Sequence, residues 1–202
     1  MRLYVATTNP GKLRDFAHAA ANFPGIEILP LPNIAAIPAP AEDADTFLGN
    51  ALIKARAYAQ LASGEIVLAD DSGISVPALD GAPGVRSARY ADDEAFPGPG
   101  TTDERNLDCL LNRMAGQNDR RAAYECVLAA VRDGEVLATG TGRVEGQLLD
   151  QRQGEGGFGY DPIFLLPTLH LTMAEVDMQT RLSMSHRGRA LVDLLGTLNP
   201  TP

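Results

Sequence analysis

Apolar positions in this chain follow two periods, and the switches between them mark out its elements. Leu3 to Ala6 is a short apolar run that predicts a buried strand. The polar turn Thr7-Thr8-Asn9-Pro10-Gly11 comes next, and then Leu13, Phe16, Ala17 and Ala20 recur at helical spacing. A second helix is predicted from Thr46 to Leu61, capped by Asp45 or Thr46, with Phe47, Ala51, Lys54, Ala55 and Tyr58 on adjacent faces. Ile66 to Ala69 predicts a strand that ends at Asp70-Asp71-Ser72-Gly73. Leu107, Leu110, Leu111 and Met114 set a third helix over 103–114. Tyr124 to Arg132 and Val136 to Thr141, joined through Asp133-Gly134, read as a hairpin. A last helix starts near Ser185, a good N-cap, and runs to Gly196. The Pro-rich stretch 30–40 and Phe96-Pro97-Gly98-Pro99-Gly100 are connections, and no internal repeat is present. Helices interleaved with strands, plus one hairpin, predict an α/β fold with a mixed sheet.

Composition narrows the class. The 202 residues, 45% hydrophobic and 21% charged, suit one domain with a sizeable core, and disorder or a collagen-like repeat is excluded. No apolar run approaches the roughly 18 residues of a spanning helix, and a cytoplasmic protein is expected. Seventeen basic against 26 acidic residues give a net charge of -9, so neither nucleic acid nor an anionic membrane is an expected partner. Only Lys12 and Lys54 of the basic residues are lysines; the rest are Arg. Cys109 and Cys126 lack ligand-like spacing, sit in apolar stretches, and are expected buried and reduced.

Five constellations could carry chemistry. In Thr7-Thr8-Asn9-Pro10-Gly11-Lys12, a turn and helix N-terminus could present N–H groups and an ammonium to an anion, or could be an ordinary strand-turn-helix joint. It lacks the spacing of a P-loop. Glu42, Asp43 and Asp45 precede a helix that carries Lys54, an arrangement that capping and dipole compensation also produce. Asp70-Asp71 at a strand end could bind a hard cation with one carboxylate and organise a turn with the other, or could form an Asx turn. Gly154 to Pro162 spells a dinucleotide fingerprint by letters, but Pro162 and the apolar Ile163 to Leu166 do not open a helix, so that reading fails. Phe158 among glycines with Asp161 behind it is better suited to stack on a base and bond its edge. Finally, Ser185-His186-Arg187 at a helix start could grip a carbonyl or a phosphate.

Taken in order, these blocks resemble the inosine triphosphate pyrophosphatase family, whose members act on purine nucleoside triphosphates with bases other than adenine and guanine. The resemblance rests on 6–12, Thr46-Phe47-Leu48-Gly49-Asn50-Ala51-Leu52-Ile53-Lys54-Ala55, Ala69 to Gly73, Gly81-Ala82-Pro83-Gly84, Ser87-Ala88-Arg89-Tyr90, Gly157 to Pro162 and Ser185-His186-Arg187, which together span almost the whole chain.

The resemblance implies a single domain over 1–202, with a long mixed sheet flanked by helices in two lobes, a nucleotide cleft between them, and a homodimer. It implies Mg²⁺-dependent hydrolysis of ITP, dITP and XTP to the monophosphate and pyrophosphate. Carried over, Thr7, Thr8, Asn9, Pro10, Gly11 and Lys12 hold the triphosphate with Lys54. Glu42 and Asp71 serve the metal, Asp71 accepts the proton of the attacking water, and Ser72 touches the substrate. Phe158 stacks on the base within Gly159 and Tyr160, Asp161 bonds its edge, and Arg181, His186 and Arg187 complete a pocket for a 6-oxopurine. Gly49 stands where the family often has Glu, Arg181 where Lys is usual, and Leu182 where a polar residue is frequent. Two other readings are a pyrophosphatase for other modified nucleotides and a nucleotide-binding protein without catalysis; Phe158, Asp161 and Arg187 argue against the first, and Glu42 with Asp71 against the second.

Overall fold

Residues 1–198 are described by the structure, a computed structural model. The chain order is β1 (Arg2–Val5), α1 (Pro10–Ala20), β2 (Glu27–Pro30), α2 (Phe47–Ala59), β3 (Ile66–Ser75), α3 (Tyr90–Asp93), α4 (Thr102–Arg113), β4 (Arg121–Arg132), β5 (Glu135–Leu148), β6 (Phe164–Leu166), β7 (Leu171–Thr172), α5 (Met178–Met184) and α6 (His186–Leu198), with short 3-10 turns between. The seven strands form one mixed sheet in the order β2-β1-β3-β4-β5-β6-β7. β1 pairs in parallel with β2 and β3, whereas β6 pairs antiparallel with β5 and β7. An α/β fold with a long mixed sheet is therefore observed.

Local chemistry sets the helix starts. Asn9 caps α1 by accepting from the Gly11 and Lys12 N–H groups, with Pro10 in the first turn. Thr46, not Asp45, caps α2. Thr101 and Glu104 form a reciprocal capping box on α4. Ser185 Oγ accepts from Gly188 N–H at the start of α6.

Three strands run longer than their pattern predicts, β4 by starting at Arg121 rather than Tyr124. β3 does not end at Asp70 but continues through Asp71, Ser72 and Gly73 to Ser75, so no Asx turn forms there. β5 continues past Thr141 to Leu148, its residues alternating exposed and buried from Thr141 onward.

The chain divides into two compact units. Among the described residues, the first comprises 1–71, 126–143 and 182–198 and holds two apolar clusters. Leu3, Val5, Phe16, Leu68, Leu128, Leu191 and Leu194 meet in one, which receives α1 and α6. Val67, Ala69, Ala129 and Val131 meet Ala51, Ala55 and Tyr58 of α2 in the other. Successive residues of β3 thus feed opposite clusters, as the pleat requires. Gly140 and Gly142 of β5 let α6 lie close: a Cβ at Gly142 would fall on the His186 carbonyl and stand 2.5 Å from the Ala190 nitrogen.

The second unit comprises 72–125 and 144–181. Its buried side chains include Ile74, Leu107, Leu110, Met114, Tyr160, Ile163, Phe164 and Leu166. Arg120 ties it together by donating to the Met114, Leu148 and Leu149 carbonyls. Both cysteines are buried and free, as expected. Among the described residues, no helix is long and apolar enough to cross a membrane.

Candidate active site

In the first unit, charged groups gather along β3. The Asp70 side chain takes the cluster face that receives α1, and its Oδ2 accepts from Lys12 Nζ at 2.8 Å. Burial works against the Asp70 carboxylate, but Lys12, Arg187 and Lys54 outweigh it and hold the group down at about 2. It is therefore a permanent anion.

Asp71 points to the opposite face, toward α2. Its Oδ1 accepts from Lys54 Nζ at 3.1 Å and its Oδ2 from the Asn50 side-chain amide at 3.1 Å. Asn50 and Lys54 are four residues apart on α2, so two successive turns of one helix hold the two oxygens of one carboxylate. Lys54 also donates to Glu42 Oε2 at 2.9 Å. Asn50 is wholly buried, and its Oδ1 accepts the Ala44 N–H at 3.0 Å, pinning the loop that carries Glu42.

The two members of the central pair shift in the same direction. Burial raises the Asp71 carboxyl, against the opposing pull of Lys54 and Asn50. Burial alone would lower Lys54, yet Asp71, Asp70 and Glu42 together raise it, so the ammonium persists. A buried carboxylate of raised proton affinity beside a cation is the equipment of a proton acceptor.

A hard divalent cation fits this donor set. Glu42 and Asp71 already converge on one ammonium, and Mg²⁺ is commonly held by one or two carboxylates with phosphate oxygens supplying the rest. No group of three or more His, Cys, Asp or Glu able to hold a metal occurs among the described residues. Gly49 contributes no carboxylate, and any Cβ there would stand 2.5 Å from the Ala44 Cβ.

The turn before α1 is internally bonded: Thr7 Oγ1 accepts the Asn9 N–H, and Asn9 Oδ1 accepts from Gly11 and Lys12. At the start of α6, Arg187 NH1 lies 3.4 Å from Asp15 Oδ2, which also accepts from Ser185 Oγ at 2.9 Å. Burial, with Arg187 adding to it, holds the His186 imidazole well below its ordinary range, so it is neutral. Thr7 to Lys12, Glu42, Lys54, Asp71, His186 and Arg187 all belong to this unit.

The second unit carries the other candidates. Asp161 is buried; its Oδ1 accepts from the Tyr124 hydroxyl at 2.8 Å and its Oδ2 from the Phe158 N–H at 3.0 Å. Arg181 NH1 stands 4.0 Å from the same Oδ2. Gly157 adopts φ +76, and a Cβ there would fall on the Asp161 carboxylate. Phe158 is 44% exposed. Gly159 donates its N–H to Asp103, whereas Tyr160 is buried with its hydroxyl on the Ser87 carbonyl. Ser72 lies on β3 in this unit. Residues 154–160 form no helix, in line with the failed dinucleotide fingerprint.

Sequence reasoning missed Asn50, Asp15 and Tyr124 as individual site residues. Asn50 left one signal: Asn is a poor helix former, and it stands inside α2 four residues before Lys54.

Known proteins are similar to this chain along nearly its whole length. The model of the Ham1 family matches residues 3–197. The dITP/XTP pyrophosphatase of Acidobacterium capsulatum is 53% identical over 200 residues, covering 98% of each chain. That of Thermosynechococcus vestitus is 42% identical, over 97% of this chain and 96% of its own. The Ham1 protein structure from Staphylococcus aureus superposes with a TM-score of 0.82 at 36% identity, covering 99% of both chains. The HAM1 protein of Coxiella burnetii gives 0.83 at 35% identity over the full length of both. With the family model matched over residues 3–197 and relatives this similar along the full length, the chain belongs to the Ham1 family.

Proposed function

We propose that the protein hydrolyses the triphosphates of inosine, deoxyinosine and xanthosine to the monophosphate and pyrophosphate; relatives named dITP/XTP pyrophosphatase support the deoxyinosine and xanthosine substrates. The observation that carries the reading is the Asp71 carboxylate, gripped by Asn50 and Lys54 and sharing Lys54 with Glu42. A carboxylate held at both oxygens by one helix, with a second carboxylate on the same ammonium, supports a group oriented for chemistry.

In this reading Glu42 and Asp71 hold Mg²⁺, which supplies Lewis acidity and charge neutralisation when bound. Lys12 and Lys54 answer part of the roughly four negative charges of a triphosphate on a chain whose own charge is -9. Thr7 to Gly11 line the phosphates, and Ser72 touches the substrate. Asp71 takes the proton of the attacking water. Phe158 stacks on the base with Gly159 and Tyr160 shaping its loop, and Asp161, Arg181, His186 and Arg187 serve the base edge. A guanidinium donor suits a 6-oxo acceptor and leaves the 6-amine of adenine unmatched. Removal of such nucleotides from the pool is cytoplasmic work, and we read the working form as a homodimer.

Incubation of the purified protein with a panel of nucleoside triphosphates, with pyrophosphate and orthophosphate detected separately, tests the proposal. Pyrophosphate from ITP and XTP, abolished by EDTA and restored by Mg²⁺, is expected. Orthophosphate as the first product would overturn it.

A further inference from the structure

The hydroxyl of Tyr124 reaches from β4 to the group that shapes the Phe158 loop. Tyr124 is buried, its ring tilted against Phe164 with centroids 4.4 Å apart, so its position is fixed by packing. Its hydroxyl donates to Asp161 Oδ1 at 2.8 Å. The other oxygen accepts the Phe158 N–H at 3.0 Å and faces Arg181 at 4.0 Å. The Asp161 side chain is only 9% exposed, and the absent Cβ of Gly157 leaves the room it fills. A carboxylate engaged in this way acts chiefly on its neighbours: it sets the peptide that presents the exposed Phe158 ring, and its charge draws in Arg181.

We propose that Tyr124 is a positioning residue for base recognition, acting through Asp161 on Phe158 and Arg181. The inference rests on the nucleotide reading above and deepens it, because it makes a strand residue outside the recognised sequence blocks a determinant of substrate preference.

Tyr124→Phe deletes one oxygen and keeps the ring against Phe164. The expected result has two parts. KM for ITP rises roughly 5- to 20-fold, a fraction of the effect of losing a hydrogen bond to a charged group, while kcat stays within about twofold. The preference for ITP over ATP falls by a similar factor. In an Asp161→Asn background the same substitution adds less than about twofold, because its route is already cut.

Hydrogen exchange gives a second readout that needs no substrate. Amides of 154–161 exchange faster in Tyr124→Phe by more than amides elsewhere in the chain, whatever small fall in melting temperature the lost hydrogen bond brings. Gly157→Ala, which presses on Asp161 from another side, produces the same KM effect without touching Tyr124. Unchanged exchange would overturn the positioning role whatever the substrate. Faster exchange with an unchanged ITP to ATP ratio would overturn its link to base recognition. A wild-type protein inactive on ITP and XTP would instead refute the proposed function, and the exchange result would still judge the hydroxyl.

Discussion

Asn50 donates its side-chain amide to Asp71 at 3.1 Å, and it does so from the turn of α2 just before the one that carries Lys54. The carboxylate is thereby held at both oxygens by a rigid element rather than a loop, which fixes its direction as well as its charge. Its neighbour Asp70 is held with equal firmness by a different helix, through Lys12.

The two aspartates should therefore fail in different ways when each is changed to Asn. Asp71→Asn leaves a folded protein whose kcat falls by about two to four orders of magnitude, the usual scale for losing a positioned proton acceptor. Asp70→Asn strands Lys12 and Arg187 beside a neutral group and costs about 3 to 5 kcal/mol of stability, with a smaller loss of kcat in the fraction that remains folded. Urea unfolding and turnover measured on the same preparations check both. An Asp70 variant of native stability but abolished turnover would reverse the two roles.

Arg187→Ala separates a base reader from a phosphate clamp. The guanidinium is held near Asp15, and its charge is felt at Asp70. We expect kcat/KM for ITP and XTP to fall roughly 10- to 100-fold, with ATP affected less, because only the former offer a 6-oxo acceptor. Equal losses on all three would reassign Arg187 to the phosphates.

His186 makes stability pH-dependent. Buried among cationic neighbours, it stays neutral at pH values where an unfolded chain would protonate its imidazole near 6.5. The unfolded state then binds more protons, so this contribution is complete above about pH 6.5 and is lost as the pH falls below it, by up to about 1.4 kcal/mol per pH unit. Urea midpoints at pH 7.5, 6.5 and 5.5 should decline more steeply in wild type than in His186→Asn. Parallel declines would show that other groups govern this range.

Gly142→Ala should cost about 2 kcal/mol or more, because the added methyl meets the backbone of α6, which has no rotamer to yield. The same assay reads it. A neutral effect would mean that α6 can lift from β5.

Much of this was legible beforehand because it depends on neighbours in sequence. The turn before α1 and the caps at Thr46 and Ser185 are local, and so is the Asp133-Gly134 turn between β4 and β5. The continuation of β3 was not legible, since a polar Asp70-Asp71-Ser72-Gly73 stops a strand unless distant partners accept its charges. Lys12 and Lys54 do so, from helices far off in the chain. β5 was cut short for a related reason: Gly140, Gly142 and Gly146 look like breakers, but each is the gap into which α6 or Phe164 fits. Within the candidate site, residue types in order gave the groups bearing charge or an exposed ring. The residues that aim them, Asn50, Asp15 and Tyr124, look ordinary in sequence because their meaning lies entirely in what they touch.

The division between Asp70 and Asp71 also turns the spacing of β3 into a chemical quantity. A strand shows alternate residues to opposite sides, so deleting or inserting a single residue between Ile66 and Asp70 would present the wrong aspartate to Lys54 and Glu42 while leaving the composition almost untouched. For an engineer, or for mutation over generations, the forbidden edit in this protein is thus a change of count rather than of kind: the partners each carboxylate meets are set by its parity along the strand.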